Sequence, residues 1–275
     1  MSDEITIRSL ASHADYAACV ELQRDTWGRD FKDAVPASIL LVSQKVGGVA
    51  AGAFNGDGRM VGFVFGITGV ENESIVHWSD MLAVRPEAQN LGLGRRLKEF
   101  QRDAVAKIGG RLIYWTYDPL VARNAHLNFN VFGVRAVKYA RDLYGSDTGS
   151  ILHRGIGTDR LIVAWPVDDG ELAQRKHETA SARTSAAYEN APVFGDAERA
   201  RNTQNGRIGQ SQHVKLAVPL DITTLQSADP DRAVRWRTST RPAFEAALAS
   251  GYRIDGFDID QNAERGFYLL ARLSS

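Results

Sequence analysis

Apolar residues recur along the chain in two rhythms, every second position and every third or fourth, and the changes of rhythm mark out its elements. Ile5 to Arg8 alternates as a short strand. Ser12, with Asp15 behind it, then caps a helix that turns Tyr16, Cys19, Val20, Leu22 and Gln23 inward and ends at Trp27-Gly28. A loop follows to Pro36. Leu40 to Gln44 and Val46 to Phe54 read as a strand pair, and Asn55-Gly56-Asp57-Gly58 as the next turn. Met60 to Thr68, with its GFVFG run, suits a central strand closely approached by another backbone.

Ile75 to Val84 predicts another strand, and Gln89-Asn90-Leu91-Gly92-Leu93-Gly94 a loop. The helix after it has Leu97, Phe100, Ala104, Val105 and Ile108 on one face, with Arg95, Arg96, Lys98 and Glu99 mostly on the other. Gly109-Gly110 stops this helix. Arg111 to Tyr117 is a strand, Ala122 to Phe132 a helix ended by Gly133, and Ala136 to Tyr144 with Arg160 to Trp165 a closing hairpin. From Asp168 to about His213 large apolar residues thin out, which predicts a linker, a solvated helix or partial disorder. Order returns at Val214 to Pro219. Ala122 laid over Thr240 without a gap puts Gly133 on Gly251, Arg135 on Arg253 and Tyr139 on Phe257, so the tail reads as a partial repeat.

The loop from Gln89 to Gly94 is the richest in chemistry. The first turn of a helix presents amides without internal partners, and the helix dipole adds partial positive charge there, so an anion is stabilised at that end. Gly92 and Gly94 let the backbone approach a phosphate, Arg95 and Arg96 add charge, and Leu91 and Leu93 can face inward as anchors. A plain strand-to-helix connection accounts for two turn glycines equally well. A dinucleotide fingerprint needs a glycine where Leu97 stands, and a P-loop needs Gly-Lys-Ser/Thr. The spacing that fits is Val-x-x-x-x-Gln/Arg-x-x-Gly-x-Gly/Ala, on Val84, Gln89, Gly92 and Gly94.

On these residues the segment resembles the coenzyme A pyrophosphate loop of the GNAT superfamily of N-acetyltransferases, over roughly Ile5 to Pro166. The resemblance implies an α/β (α+β) fold: a mixed, mostly antiparallel twisted sheet with a splayed central strand pair, flanked by helices. It implies acetyl-CoA or coenzyme A as the acyl-donor substrate. Backbone groups of Leu82, Ala83 and Val84 would pair with the pantetheine arm, and the amides of Gln89, Asn90, Leu91, Gly92, Leu93 and Gly94, beside Arg95, would hold the pyrophosphate. The loop from Trp27 to Pro36 would overhang the acceptor, and the second half would form the other wall of the cofactor cleft. YWTYDPLVARNAHLNFNVFGV is also similar to a little-characterised GNAT subgroup, some of whose members are thought to acylate amino acids. The expected domains are a GNAT-like catalytic domain over 1–167, a polar linker over 168–213 and a degenerate GNAT-like half-domain over 214–275. The tail has no second Gln-x-x-Gly-x-Gly, so it would extend the sheet or cover the acceptor cleft.

Acyl transfer from a thioester to an amine needs a neutral amine, a stabilised carbonyl oxygen and a proton for the leaving thiolate. The N–H of Leu82 or Ala83 would polarise the carbonyl, with direct attack in a ternary complex. For the base, Glu71, Glu73, His77 and Asp80 lie on or just before the cofactor strand; His77 comes first for its intrinsic pKa and Glu73 second. By alternation Glu71, Glu73, His77 and Ser79 share one face, and Asp80 and Leu82 the other. Phe129 stands where the family's usual proton-donating tyrosine lies, which leaves Tyr139, Tyr144 or Tyr117 to approach from elsewhere, or a thiolate that leaves unaided. Ala122 replaces the common asparagine, with Asn124 and Asn128 near enough to take over its pantetheine contacts. Arg123, Arg135, His153 and Arg154 are candidates for a substrate carboxylate.

Charge and composition narrow the rest. Lys+Arg and Asp+Glu are 33 each, so no net field draws the chain of 275 residues to nucleic acid or an anionic membrane. The single cysteine, Cys19, excludes an internal disulfide and a cysteine-based metal site, and no metal is expected. No basic-plus-apolar leader and no long apolar run is present, which predicts a cytoplasmic protein. The expected partner is a small-molecule amine or amino-acid acceptor, with a homodimer possible. Two alternatives remain: a succinyl-CoA-dependent amino-acid N-succinyltransferase, and an acyl-CoA-binding regulatory module without turnover, motivated by Phe129.

Overall fold

The computed structural model describes residues 4–145, 148–150, 155–198 and 208–272. They fall into two compact units, one of residues 4–115, 148–150 and 166–168, the other of 116–145, 155–165, 169–198 and 208–272. The units therefore divide elsewhere than at 167 and 213.

In the first unit the chain runs β1 (Thr6–Ser9), α1 (His13–Trp27), α2 (Ala37–Lys45), β2 (Val49–Phe54), β3 (Met60–Glu71), β4 (Ser74–Val84), α3 (Leu93–Lys107) and β5 (Leu112–Tyr117). Strand order is β1-β2-β3-β4-β5, antiparallel as far as β4 and parallel between β4 and β5. Ser12 and Asp15 form a reciprocal capping box, and Arg8 reaches the same carboxylate at 2.7 Å. On one face of the sheet Tyr16, Cys19, Leu22 and Leu40 pack with Phe63, Phe65, Met81 and Ala83. α3 packs against the strands on the other, through Leu93, Leu97 and Val105.

Leu40 to Gln44, expected as a strand, belongs to α2. A short apolar run does not distinguish strand from buried helix, and here Pro36 opens a helix that buries Leu40 and Ser43 while Ile39 and Val42 face out. Gln44 fixes it by donating to the carbonyls of Leu10 and Ala50. The buried face of α3 is also rotated from expectation: Lys98 and Gln101 point inward, and Ile108 is exposed.

The second unit holds the end of β5, a helix α4 (Ala122–Ala125) that continues as a π-helix over His126–Phe132, β6 (Arg135–Ala140) and β7 (Arg160–Pro166). Then come α5 (Asp169–Arg183), β8 (Val193–Phe194), β9 (His213–Pro219), α6 (Ile222–Ala228), α7 (Pro230–Ala249), β10 (Tyr252–Asp260) and β11 (Arg265–Arg272). Of the linker, solvated helix or partial disorder expected after Asp168, the structure has a helix, α5, over Asp169–Arg183. α5 buries Leu172, Arg175 and Thr179 and lies along β10 and the π-helix; residues 199–207 lie outside the described residues.

One strand order occurs twice here, β5-β7-β6 and β9-β11-β10, each a strand followed by helix and antiparallel hairpin. The opening strand of each has a parallel neighbour, β4 for β5 and β8 for β9. Gly133 (φ 69°) and Gly251 (φ 79°) take the left-handed conformation after their helices, where a glycine stop is needed. A buried ionic network runs between the two copies. Asp159 accepts from Arg241, from the Tyr139 hydroxyl and from the Asp142 amide, while Asp118 accepts from Arg237. No helix among the described residues is long and apolar enough to cross a membrane.

Candidate active site: a split strand pair and the loop that follows it

β4 and β5 pair over only three positions, Val76 with Leu112, His77 with Ile113 and Trp78 with Tyr114. β4 continues to Val84 on its pairing with β3, and β5 to Tyr117, so the parallel ladder opens beyond Trp78. The backbone of β4 from Ser79 onward thus has an edge without a β5 partner, and Gln89 Nε2 closes the far end by donating to the Val84 carbonyl at 3.1 Å.

A bulge shapes the same stretch. Phe65 pairs with Met81 and Gly66 with Ser79, which leaves Asp80 as the extra residue of β4. The alternation shifts there: Ser79 and Leu82 face α3, whereas Met81 and Ala83 pack with the α1 and α2 side. Asp80 therefore does not share a face with Leu82. Asp80 is an exposed residue. Crowding by neighbouring protein, and then Asp33 in the loop after α1, push its pKa up. That loop is pinned where the Lys32 amide donates to the Thr148 carbonyl at 3.1 Å and Gly149 lies against the Asp30 carbonyl.

At the end of β4 the chain passes Arg85 and a 3-10 turn over Pro86–Ala88 into the loop. Asn90 (φ 63°) and Gly92 (φ 68°) are both left-handed, and Gly92 is the N-cap of α3 with no side chain capping the helix. A Cβ at Gly92 would meet nothing within 4 Å, and one at Gly94 only the tip of Leu82 at 3.6 Å. An open space thus lies before uncapped amides at a positive helix end, which fits a diphosphate. Leu93 is buried as expected, but Leu91 is 62% exposed and anchors nothing. Arg95 pairs with Glu99 at 2.7 Å, and Arg96 donates to the Ile5 carbonyl.

The expected catalytic residues are dispersed. Glu73 sits in the turn between β3 and β4 (φ 63°), about 30 Å along the strand from Leu82 at some 3.3 Å per residue. His77 is fully buried under α3. Its Nδ1 lies 2.9 Å from Thr68 Oγ1 and its Nε2 3.0 Å from Gln101 Nε2, and burial, then the nearby Lys98, push its pKa down to about 4. Glu73 is thus remote from Leu82 along the strand, and His77 is enclosed between Thr68 and Gln101. Tyr139 stacks on Phe244 in the second unit with its hydroxyl held by Asp159, and burial, then Asp159, raise its pKa. Tyr117 is buried against the Tyr268 hydroxyl, and Tyr144 is exposed beside Thr116.

Also in the second unit, Asn124 is half-buried, Asn128 is buried in the π-helix, and Phe129 is enclosed against Tyr268. Arg123 is exposed and Arg135 pairs with Glu171 at 3.1 Å. His153 and Arg154 lie outside the described residues. One group expected on the outer face of α3, Lys98, is instead buried beside β4. Lys98 Nζ donates to Ser79 Oγ at 2.7 Å and lies 3.9 Å from the ring centroid of Trp115. Among the described residues no cluster of His, Cys, Asp and Glu could hold a metal ion.

No family model and no curated protein matches the chain. Among solved structures it is similar to the ribosomal-protein-S18-alanine N-acetyltransferase from Escherichia coli, with 22% identity over 60% of this chain and 95% of that one, at a TM-score of 0.45. An aminoglycoside 6'-N-acetyltransferase complexed with coenzyme A is 17% identical over 59% of this chain and 97% of that one, at 0.44. The NatC complex bound to Gag peptide and CoA gives 17%, 59% and 98%, at 0.47. At these values the likeness carries neither an activity nor an acceptor over to this chain.

Proposed function

We propose that the protein is a coenzyme A-dependent N-acyltransferase of the GNAT type, moving an acetyl or other short acyl group to a primary amine by direct attack. The observation that carries this reading is the pairing of two features on one strand: β4 loses its parallel partner after Trp78, and the same strand runs into the uncapped, left-handed loop at Gly92. A linear molecule with an anionic diphosphate at one end and an amide-bearing arm needs both. The loop amides from Asn90 to Gly94 hold the diphosphate, the free edge from Leu82 to Val84 pairs with the arm, and the N–H of Leu82 or Ala83 polarises the thioester carbonyl.

Asp80 is the base in this reading. It is solvent-accessible, it stands within two residues of Leu82, and its raised pKa moves it toward the range where a carboxylate accepts a proton usefully. With Asp33 it also makes the site negative, which favours an acceptor that arrives as an ammonium ion. A covalent acyl-enzyme on sulfur is disfavoured: the single cysteine, Cys19, is buried in the core, which pushes its pKa up to about 12.

Calorimetry with coenzyme A, followed by release of free thiol from acetyl-CoA with a panel of diamines, aminoglycosides and free amino acids, tests the reading. Cys19 stays silent to a thiol reagent in the folded protein, so the signal belongs to the cofactor. Absence of binding refutes the acyltransferase; binding with no thiol released by any amine leaves a regulatory module instead.

A further inference from the structure

Direct attack leaves the departing sulfur in need of a proton, and the tyrosines do not supply it: Phe129 has none to give, the hydroxyls of Tyr139 and Tyr117 are engaged in the core, and that of Tyr144 is shared with Thr116 at the surface. On the first unit's own elements the Tyr114 hydroxyl is given to Glu71, and Lys98 is, among the described residues, the proton-bearing group beside the split that no carboxylate holds. Lys98, on α3, is 7% exposed, and its amine reaches toward the opening of the β4–β5 ladder. Its two partners mark that point. Ser79 directly follows Trp78 and Trp115 directly follows Tyr114, the last residues to pair. Lys98 Nζ therefore stands at the closed end of the split.

Its chemistry there is unusual. Among the described residues no carboxylate lies within salt-bridge distance of Nζ, so burial alone pushes the pKa well below its ordinary value. His77, the titratable neighbour on β4, is neutral at pH 7; β5 offers Trp115 and Ile113, and Arg95 and Glu99 on α3 are paired with each other. The π face of Trp115 and the Ser79 hydroxyl are what keep an ammonium tolerable at this place. Burial makes this ammonium a stronger acid than an ordinary lysine's, and the Ser79 hydroxyl 2.7 Å away is the group placed to pass its proton on.

We propose that Lys98 is the general acid of the transfer, acting through Ser79. This rests on the acyltransferase reading, in which the arm of the donor lies along the free edge of β4, with the thioester carbonyl on the Leu82 N–H and the sulfur turned toward the Ser79 hydroxyl. As the C–S bond breaks, Ser79 gives its hydroxyl proton to the sulfur and takes one from Lys98 Nζ. The acceptor ammonium first releases one proton to solvent; its neutral nitrogen then forms the new C–N bond and loses a second proton to Asp80, and after the products leave Asp80 returns its proton to solvent and the neutral lysine is recharged from it. One acyl group and one proton cross to nitrogen and sulfur respectively, and no further reactant is needed.

The test is the pH profile of kcat with acetyl-CoA and a productive amine, for the wild type, Lys98→Met and Ser79→Ala. Lys98→Met should lower kcat by about a hundredfold and abolish the alkaline limb, with coenzyme A affinity by calorimetry within about threefold of wild type. Ser79→Ala should flatten the same limb; should Lys98→Met not fold, this variant decides alone. An alkaline limb that persists in the folded variants overturns the proposal, as does an acetyl group found on Lys98 by intact-protein mass spectrometry during turnover. A wild type that releases no thiol fails at the earlier step and removes the acyltransferase reading itself.

Discussion

His77 Nε2 lies 3.0 Å from Gln101 Nε2, deep between β4 and α3, and the glycine opposite makes room for the pair: a Cβ on Gly66 would stand 2.3 Å from the same histidine nitrogen. Thr68 gives its hydroxyl proton to the Gly47 carbonyl, so it accepts from His77 Nδ1–H, and Nε2 is left to accept from the Gln101 amide. A second ring proton would point at that amide. Burial first, and then the nearby Lys98, hold the folded-state pKa of His77 at about 4.

The linkage follows in sign and window. Between about 6.5 and 4 the unfolded chain takes up a proton that the folded one refuses, so stability rises with pH across that range. The contribution is full above about 6.5 and is lost as pH falls toward 4, up to roughly 3 kcal/mol at about 1.4 kcal/mol per pKa unit. Urea midpoints at pH 7 and 4.5 should drop more for the wild type than for His77→Gln. Turnover per folded molecule should stay within about threefold in the variant, since losing a true general base costs far more. Equal acid sensitivity in both proteins contradicts the assignment.

Asp80 carries the opposite expectation. Asp80→Asn should cut kcat/KM by about a hundredfold or more, with coenzyme A binding unchanged. Asp33 raises the Asp80 pKa by its negative charge, so Asp33→Asn should lower it and move the acid limb of kcat/KM to lower pH. Steady-state profiles of the two variants read both effects. A shift of the limb to higher pH in Asp33→Asn would show that another group titrates there.

Much of this site was legible in the sequence, and the failures have physical causes. The loop was readable because its requirement is a backbone one: left-handed φ at Gly92 and no bulk in front of it leave a mark in glycine spacing. The proposed base was among four candidates but was not singled out, because a bulge adds one residue and reverses the alternation, and nothing in IVHWSDMLAV marks Asp80 as the extra one. Lys98 looked like a solvated charge. A signal was present, since Gln101 lies on the same i, i+4 row as Leu93, Leu97 and Val105, and a polar residue within an apolar row shows that the helix meets polar groups beneath. The division into units was hidden for another reason: Arg237 and Arg241 of α7 bind Asp118 and Asp159, residues far away in sequence.

That network separates a structural tyrosine from a catalytic one. Tyr139 donates to Asp159, which burial would push to a higher pKa but which Arg241 first, then Tyr139, hold below its usual range. Tyr139→Phe removes one donor of several and should cost about 1 kcal/mol with no change in kcat. Asp159→Ala leaves Arg241 and Arg237 without their shared carboxylate and should cost about 3–5 kcal/mol. Thermal melts and thiol-release rates on the same samples distinguish the two. A large loss of kcat in a stable Tyr139→Phe would restore that hydroxyl to the chemistry.

The loop itself gives the sharpest test, because affinity and stability should part company there. Gly94→Glu has room, its Cβ meeting only Leu82 Cδ2 at 3.6 Å, so the fold should tolerate it; the added carboxylate, however, stands before the amides that hold the diphosphate. Gly92→Ala adds no charge, but it places a side chain at φ 68°, which costs about 1–2 kcal/mol and resists the turn that aims those amides. Calorimetry should therefore show coenzyme A binding lost in Gly94→Glu at a nearly unchanged melting temperature. In Gly92→Ala it should be weakened about tenfold, with a measurable fall in melting temperature, since about 1.4 kcal/mol is a factor of ten. Dephospho-coenzyme A, which keeps the diphosphate, should lose affinity in parallel. Pantetheine, which lacks the diphosphate, should bind all three proteins alike, because its contacts are on the edge of β4. Affinities for coenzyme A that do not respond to Gly94→Glu would place the diphosphate elsewhere and leave the split of β4 and β5 without the ligand proposed for it.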